Sequence, residues 1–178
     1  MTRQFYIGQS LDGYIADTEG SVRWLEEAGA GGDYGYDAFF RDVGAVAMGA
    51  KTYEQLLGWD IPWPYSDVPS WVFTRRVLGT PEGADIRFVD APPVDAIGDV
   101  DASADGRNVW LVGGGRLARQ WIADGLLDEL ILFVAPLLLG GGIRLFGDTV
   151  ATPLELTGAK AHPTGFAELR YRFPRPAS

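Results

Sequence analysis

The chain has no cysteine and one histidine, His162. The groups left to do chemistry are backbone N–H groups, hydroxyls, carboxylates and cationic side chains. Three segments gather such groups. In the first, Val109–Ala118 (VWLVGGGRLA), an apolar strand runs into Gly113, Gly114 and Gly115 and then into a helix that opens at Arg116 and Leu117. A helix N-terminus offers unpaired N–H groups and about half a positive charge. Glycines let an anion approach that backbone closely, and Arg116 adds a planar fork of donors. This is a phosphate-binding pattern. It also matches the Gly-x-Gly-x-x-Ala dinucleotide fingerprint, which expects an acidic residue about 20 positions on for the ribose hydroxyls. No Asp or Glu lies between Glu129 and Asp148, so the Rossmann version fails its own context. For a nicotinamide nucleotide, that absence argues for the 2′-phosphorylated form.

The second segment, Val46–Glu54 (VAMGAKTYE), is a buried strand that breaks at Gly49 before a short helix. It puts Lys51 and Thr52 where a helix N-terminus meets an anion. The third, Trp71–Arg76 (WVFTRR), is a strand ending in Thr74, Arg75 and Arg76. Exposed arginines at strand ends are common, and alone they mean little. An acidic chain that keeps cations at the ends of three strands is more informative, because ligands of open α/β sheets bind at the carboxyl ends of the strands.

Other chemistries are poorly served. Without cysteine there are no disulfides, thiolate nucleophiles or iron–sulfur ligands, and one histidine excludes the two-histidine zinc helices. Ser10 lacks the Gly-x-Ser-x-Gly elbow, since Asp12 takes the second glycine's place, and His162 reads as a solvated histidine at a loop edge. Gly44, Gly49, Lys51 and Thr52 are spaced one residue too long for a phosphate-binding Walker loop. A formal charge of −9 disfavours nucleic acid. The longest apolar run, Leu130–Leu139, contains Pro136 and is half a membrane span, and the N-terminus lacks the pattern of a signal peptide. A small-molecule substrate, no membrane partner and a cytoplasmic location are the expectations.

Short β-like runs and helices must position these groups. Strands are expected at 5–9, 45–48, 71–74, 86–89, 109–112 and 130–135. Helices are expected at 21–28 (opened by a Ser21 cap), 36–43, 52–57 and 116–124, with a poorly formed one at 95–104. Gly125 can end the helix before it in the left-handed conformation. Two closing runs, 154–162 and 166–173, read as a hairpin with one wet face, in which Glu168, Arg170 and Arg172 alternate with Leu169, Tyr171 and Phe173 and the first residue, Phe166, is out of phase. Nothing divides the chain, so residues 1–178 are expected to form one α/β domain with a mixed, mostly parallel sheet flanked by helices and closed by an antiparallel hairpin.

Four ordered segments resemble a known family: Ser10–Ala16 (SLDGYIA), Met48–Glu54 (MGAKTYE), Val112–Leu117 (VGGGRL) and Gly125–Leu130 (GLLDEL) with Ala135–Gly140 (APLLLG). Together they are similar to the dihydrofolate reductase-like proteins, and within them to the reductase domain of the bifunctional riboflavin-biosynthesis deaminase–reductase and its stand-alone relatives. The resemblance covers nearly the whole chain. It implies an eight-stranded sheet with NADPH across its carboxyl edge. Gly113, Gly114, Gly115, Arg116 and Leu117 would hold the pyrophosphate, and Gly49, Lys51 and Thr52 the phosphates from the next strand. Thr74 and Arg75 would meet the 2′-phosphate, and Gly8 and Ile15 would lie near the nicotinamide.

The implied activity is reduction of a small heterocyclic or sugar-carbonyl substrate, as in 5-amino-6-(5-phosphoribosylamino)uracil reductase. A pterin or dihydrofolate reductase and a non-catalytic NADP(H)-binding module are the alternatives. The folate-reducing branch keeps a buried acid on its first helix, and Asp33 or Asp37 lies near that place. The resemblance also implies a homodimer. Trp59 and Trp63, in a Pro-rich loop, are candidates for stacking on a heterocycle or for a subunit contact, with loop packing as the plainer reading. Leu139–Arg144 is a further candidate for approach to a polar substrate.

Overall fold

Val43–Gly49 carries no polar side chain and is buried from Val43 to Met48, which a strand can be only if both faces of its sheet are covered. The computed structural model, which describes residues 1–174 apart from 31, 33, 60, 148 and 150, shows that arrangement. In chain order the elements are β1 (Arg3–Ser10), β2 (Tyr14–Ala16), α1 (Arg23–Gly29), α2 (Tyr36–Arg41), β3 (Val43–Gly49), α3 (Ala50–Leu57), β4 (Ser70–Phe73), β5 (Ile86–Val89), α4 (Pro93–Ser103), β6 (Asn108–Gly113), α5 (Gly115–Ala123), β7 (Glu129–Ala135), β8 (Ile143–Arg144), β9 (Glu155–Ala161) and β10 (Ala167–Arg172).

Eight strands form one sheet in the order β5-β4-β3-β6-β1-β7-β10-β9, and β2 and β8 pair in a small second sheet. The six strands from β5 to β7 are mutually parallel, and β10 runs antiparallel to β7. Their carboxyl ends, at Val89, Phe73, Gly49, Gly113, Ser10 and Ala135, therefore lie along one edge.

Strand periodicity sorts the core. Phe5, Ala45, Ala47, Val109, Leu111, Leu130 and Leu132 point to one face, where Val100 and Ala104 of the α4 segment and Leu117, Ala118 and Trp121 of α5 cover them. Val46, Met48, Val72 and Trp110 point to the other, under Tyr53 and Leu56 of α3. Ile131 and Phe133 lie on that same side under Trp24 of α1. Tyr6 stacks on Phe39 of α2 at 4.4 Å, and Trp110 meets Phe39 edge-on at 5.3 Å.

Several element boundaries move from the expectation, each for a physical reason. α1 opens at Arg23 with Val22 as its N-cap, so Ser21 is not the cap, although its hydroxyl accepts from the Arg23 amide at 3.3 Å. Val43 belongs to β3 because it is wholly buried in the sheet core. The 95–104 segment is a full helix over Pro93–Ser103, with proline in its first turn where the missing N–H costs nothing. α5 ends as expected, with Gly125 at φ 65° and the Leu126 amide donating to Trp121 O at 2.8 Å. The two-residue β8 and three-residue β2 have too little periodicity to be read from sequence. The hairpin's wet face is wrong at Glu168, which is buried; Phe166, out of phase with the alternation, is buried as well.

Candidate active site at the carboxyl edge

β3 and β6 are neighbours, with Met48 opposite Gly113. Each runs out of the sheet straight into a helix, α3 from Gly49 and α5 from Gly113–Gly114. Two helix N-termini therefore open side by side. Gly114 has φ 97°, a conformation a residue with a Cβ adopts only under strain. A methyl group there would sit 3.5 Å from Thr52 Oγ1 and 3.7 Å from Gly49 N, and one at Gly113 would sit 3.4 Å from Thr52 Oγ1. The structure thus brings Gly49, Thr52, Gly113 and Gly114 to one spot. The absence of side chains keeps that spot open to a ligand that binds backbone donors.

Leu117 is buried and anchors the first turn of α5, whereas Lys51 and Arg116 are exposed on the opening turns of their helices. Among the described residues Arg116 has no ion-pair partner.

Phe73 pairs with Gly49, so Thr74 and Arg75 follow at the same edge, one strand over. Their side chains diverge. The Thr74 hydroxyl accepts from the Arg76 amide at 3.0 Å. Arg75 lies 3.4 Å from Asp90, beyond β5, on the side of β4 away from the glycine loop. Arg76 reaches the other way and makes two hydrogen bonds, at 2.9 and 2.7 Å, to Glu54 on α3. The guanidinium tied to α3 is Arg76, which the sequence pattern did not separate from its neighbour.

The edge continues past β1. Ile15 on β2 packs toward α5: a methyl at Gly115 would meet Arg144 O at 3.3 Å, Leu145 O at 3.4 Å and Ile15 Cδ1 at 3.6 Å. The turn between β1 and β2 is stitched to the loop after β7 by the Asp12 carboxylate, which accepts from Ser10 Oγ at 2.6 Å, Leu139 N at 3.1 Å and Gly140 N at 2.7 Å. Those bonds, Ser10's first, hold the Asp12 carboxyl down at about 2. Ser10 is committed to this turn, because its oxygen also accepts from the Tyr14 amide at 2.9 Å. Gly8 has a packing reason of its own, since a Cβ there would strike Leu25 of α1 at 2.8 Å.

Of the two acids considered as proton donors, Asp33 lies outside the described residues. Asp37 is exposed on the first turn of α2, so it is not the buried acid expected. His162 is not solvated: its Nε2 donates to Glu168 Oε2 at 2.9 Å, and the two side chains are 2% and 9% exposed. Phe133 and Tyr34 cover the imidazole, at ring separations of 5.8 and 5.1 Å. Burial pushes the Glu168 carboxyl up, but the hydrogen bonds from Arg170 and His162 outweigh it and hold the group below the usual glutamate range. A histidine beside a proline in a polar stretch carries no sequence signal of such burial.

Trp63 packs into the core and donates to Ser70 Oγ at 3.1 Å, so it is not free to stack on a ligand, while Trp59 stays partly exposed. A groove of about 350 Å³ lies between the C-terminal turn of α3 and the 79–81 segment, lined by Leu56, Leu57, Ile61, Trp63, Gly79, Thr80 and Pro81. It has no charged lining and sits at the opposite end of α3 from the glycine loop. Among the described residues no group of three or more His, Cys, Asp or Glu side chains could hold a metal ion. No helix among them is long and apolar enough to cross a membrane.

Comparison with known proteins agrees with this architecture. Residues 63–167 match the RibD C-terminal domain model. YwjB of Bacillus subtilis is 36% identical over 159 residues, covering 87% of this chain and 88% of that protein. A putative riboflavin biosynthesis protein from Shewanella sp. PV-4 superposes with a TM-score of 0.86 at 29% identity, over 98% of this chain and all of that one. The Thermotoga maritima deaminase/5-amino-6-(5-phosphoribosylamino)uracil reductase superposes at 0.69 with 15% identity, over 97% of this chain and 56% of that one, which is a likeness of fold. With its mixed sheet, its paired helix N-termini and a family match over more than half its length, the chain belongs to the RibD C-terminal domain family, the reductase-like branch of the dihydrofolate reductase fold.

Proposed function

We propose that this protein is an NADPH-dependent reductase of a small heterocyclic or sugar-carbonyl substrate. The observation that carries the reading is the meeting of two helix N-termini at Gly49–Thr52 and Gly113–Gly114, where a Cβ on Gly113 or Gly114 would point into the space facing Thr52. A dinucleotide pyrophosphate fits that chemistry: doubly anionic, bound by backbone N–H groups, and tolerant of exposed cations at its flanks. Gly49, Lys51 and Thr52 would bind from one side. Gly113, Gly114, Gly115 and Arg116 would bind from the other, with Leu117 anchoring their helix. Thr74 and Arg75, with Arg76 beside them, would receive the 2′-phosphate. Ile15 would flank the nicotinamide end, near the backbone of Gly8. When bound, NADPH supplies the hydride; the protein's part is to orient the two reactants and exclude water.

The test is a titration with NADPH, NADH and ATP, followed by intrinsic tryptophan fluorescence, on the wild type and on Arg116→Ala and Lys51→Ala. NADPH should bind first by a wide margin, and Arg116→Ala should weaken it by about tenfold, the scale of one charge-assisted hydrogen bond. Equal binding of NADH would contradict the 2′-phosphate contacts, and preference for ATP would sink the reading. The homodimer is part of the same proposal. It is consistent with the exposed apolar side chains of Leu154 and Leu156 at the β9 edge, and light scattering showing a monomer at micromolar concentration would remove it.

A further inference from the structure

We propose that Asp12 is a positioning residue that holds the wall of the site opposite α3 by stitching the β1–β2 turn to the loop after β7. The inference rests on the reading of this edge as a dinucleotide site. An Asp-Gly pair between strands is ordinarily a local turn signal, with the carboxylate facing its own backbone or water. Here the carboxylate reaches 127 and 128 residues along the chain to the amides of Leu139 and Gly140. Oδ1 takes the Ser10 hydroxyl and the Leu139 amide, and Oδ2 takes the Gly140 amide.

The stitch is reinforced in register: Leu11 N donates to Leu137 O at 2.8 Å, and Leu145 N donates to Gly13 O at 3.1 Å. Beyond it, Tyr14 pairs with Arg144, whose guanidinium lies 4.8 Å from the Tyr14 ring centre. Arg144 O, Leu145 O and Ile15 are the atoms that close on Gly115 at the mouth of α5. Asp12 touches none of these, but it holds together the two segments that carry them.

Both carboxylate oxygens accept, so an amide cannot replace them. In Asp12→Asn one oxygen becomes an NH₂ that faces another donor. The prediction concerns the protein before any ligand is added, and it is read by hydrogen exchange. In Asp12→Asn the amides of Leu139 and Gly140 should exchange at least about tenfold faster, the scale of one lost hydrogen bond, while those of Leu111 and Leu132 in the sheet keep their protection. NADPH affinity should fall by about tenfold. Ser10→Ala, which leaves the Leu139 and Gly140 bonds in place but removes the acceptor of the Tyr14 amide, should shift both readouts in the same direction by about threefold. It carries the test if Asp12→Asn does not fold.

Unchanged exchange at 139 and 140 would overturn the stitch. Faster exchange with unchanged NADPH affinity would make Asp12 a structural residue only and overturn its positioning role. A wild type that binds no NADPH would instead sink the reading of the site. A wild type and Asp12→Asn that bind it equally well would sink this proposal alone.

Discussion

The two ends of the sheet treat charge in opposite ways. At the β3–β6 rim the donors are backbone N–H groups at helix ends, and Arg116 and Lys51 stand exposed beside them. At the β7–β10 end the charged and polar groups satisfy one another: Glu168 takes His162 and Arg170, Arg170 also approaches Glu129 at 3.9 Å, and Glu129 takes Gln4 at 2.6 Å. Among the described residues, Arg116 in the first region has no ion-pair partner. The second is closed on itself and buried at its centre, although Gln4 Oε1 is buried there without a hydrogen-bond partner among the described residues. The two regions therefore differ in whether their charged side chains already have partners, rather than in how many charges are near.

The largest effect should come from the closed end. Glu168→Leu leaves a buried His162 and a half-exposed Arg170 without their carboxylate, so urea unfolding should show a loss of about 3 kcal/mol with NADPH affinity unchanged. A parallel loss of affinity would erase the distinction between the two ends. Next, Gly114→Ala forces a side chain into a left-handed backbone facing Thr52 and Gly49. It should weaken NADPH by about a hundredfold, consistent with one to three kcal/mol of local strain, and affinity within a factor of three of the wild type would show the gap is not used. A finer test separates two adjacent arginines. Arg76→Ala, which also removes the bidentate partner of Glu54, should narrow NADPH-over-NADH selectivity more than Arg75→Ala, and the reverse order in paired titrations would restore Arg75 as the main contact.

The smallest effect is set by pH. The carboxyls of Asp12 and Glu168 are both held below their ordinary values in the folded chain. Their stabilising contribution is present above the unfolded values, near 4. It is lost as pH falls, for Asp12 down to about 2. In Asp12→Asn the acid unfolding curve should flatten in that window. A curve that keeps the wild-type slope would mean that other carboxylates carry the acid response.

Much of this was legible in the residues, and the misses have physical causes. The strand–glycine–helix junction at 113–117 is visible because it is a local event: a continuous apolar run, then side-chain-free turns, then a stripe of Leu117, Ala118 and Trp121. The 49–52 junction is visible for the same reason. Its contact with Gly113–Gly114 is not, since two strands must first become neighbours in the sheet. The surroundings of His162 and Glu168, and the distant partners of Asp12 beyond its own turn, are hidden from sequence in the same way. Each looks like a surface or turn residue in its own window, and its partner or covering group comes from another part of the fold: Tyr34 and Phe133 over His162, and Leu139 and Gly140 on Asp12. Arg76 was passed over because sequence cannot say which of two consecutive side chains turns toward α3.

The contact from Asp12 to Gly140 also dictates an order of assembly. A chain leaving the ribosome completes its first turn at residue 13 and must then make more than a hundred further residues before the acceptors of that turn have anything to receive. Until β7 docks beside β1, the Asp12 carboxylate lacks the Leu139 and Gly140 amides that it holds in the fold. Contacts this distant in sequence form late and slow the folding rate, so fragments ending before residue 139 should keep their secondary structure longer than their ability to recognise a dinucleotide.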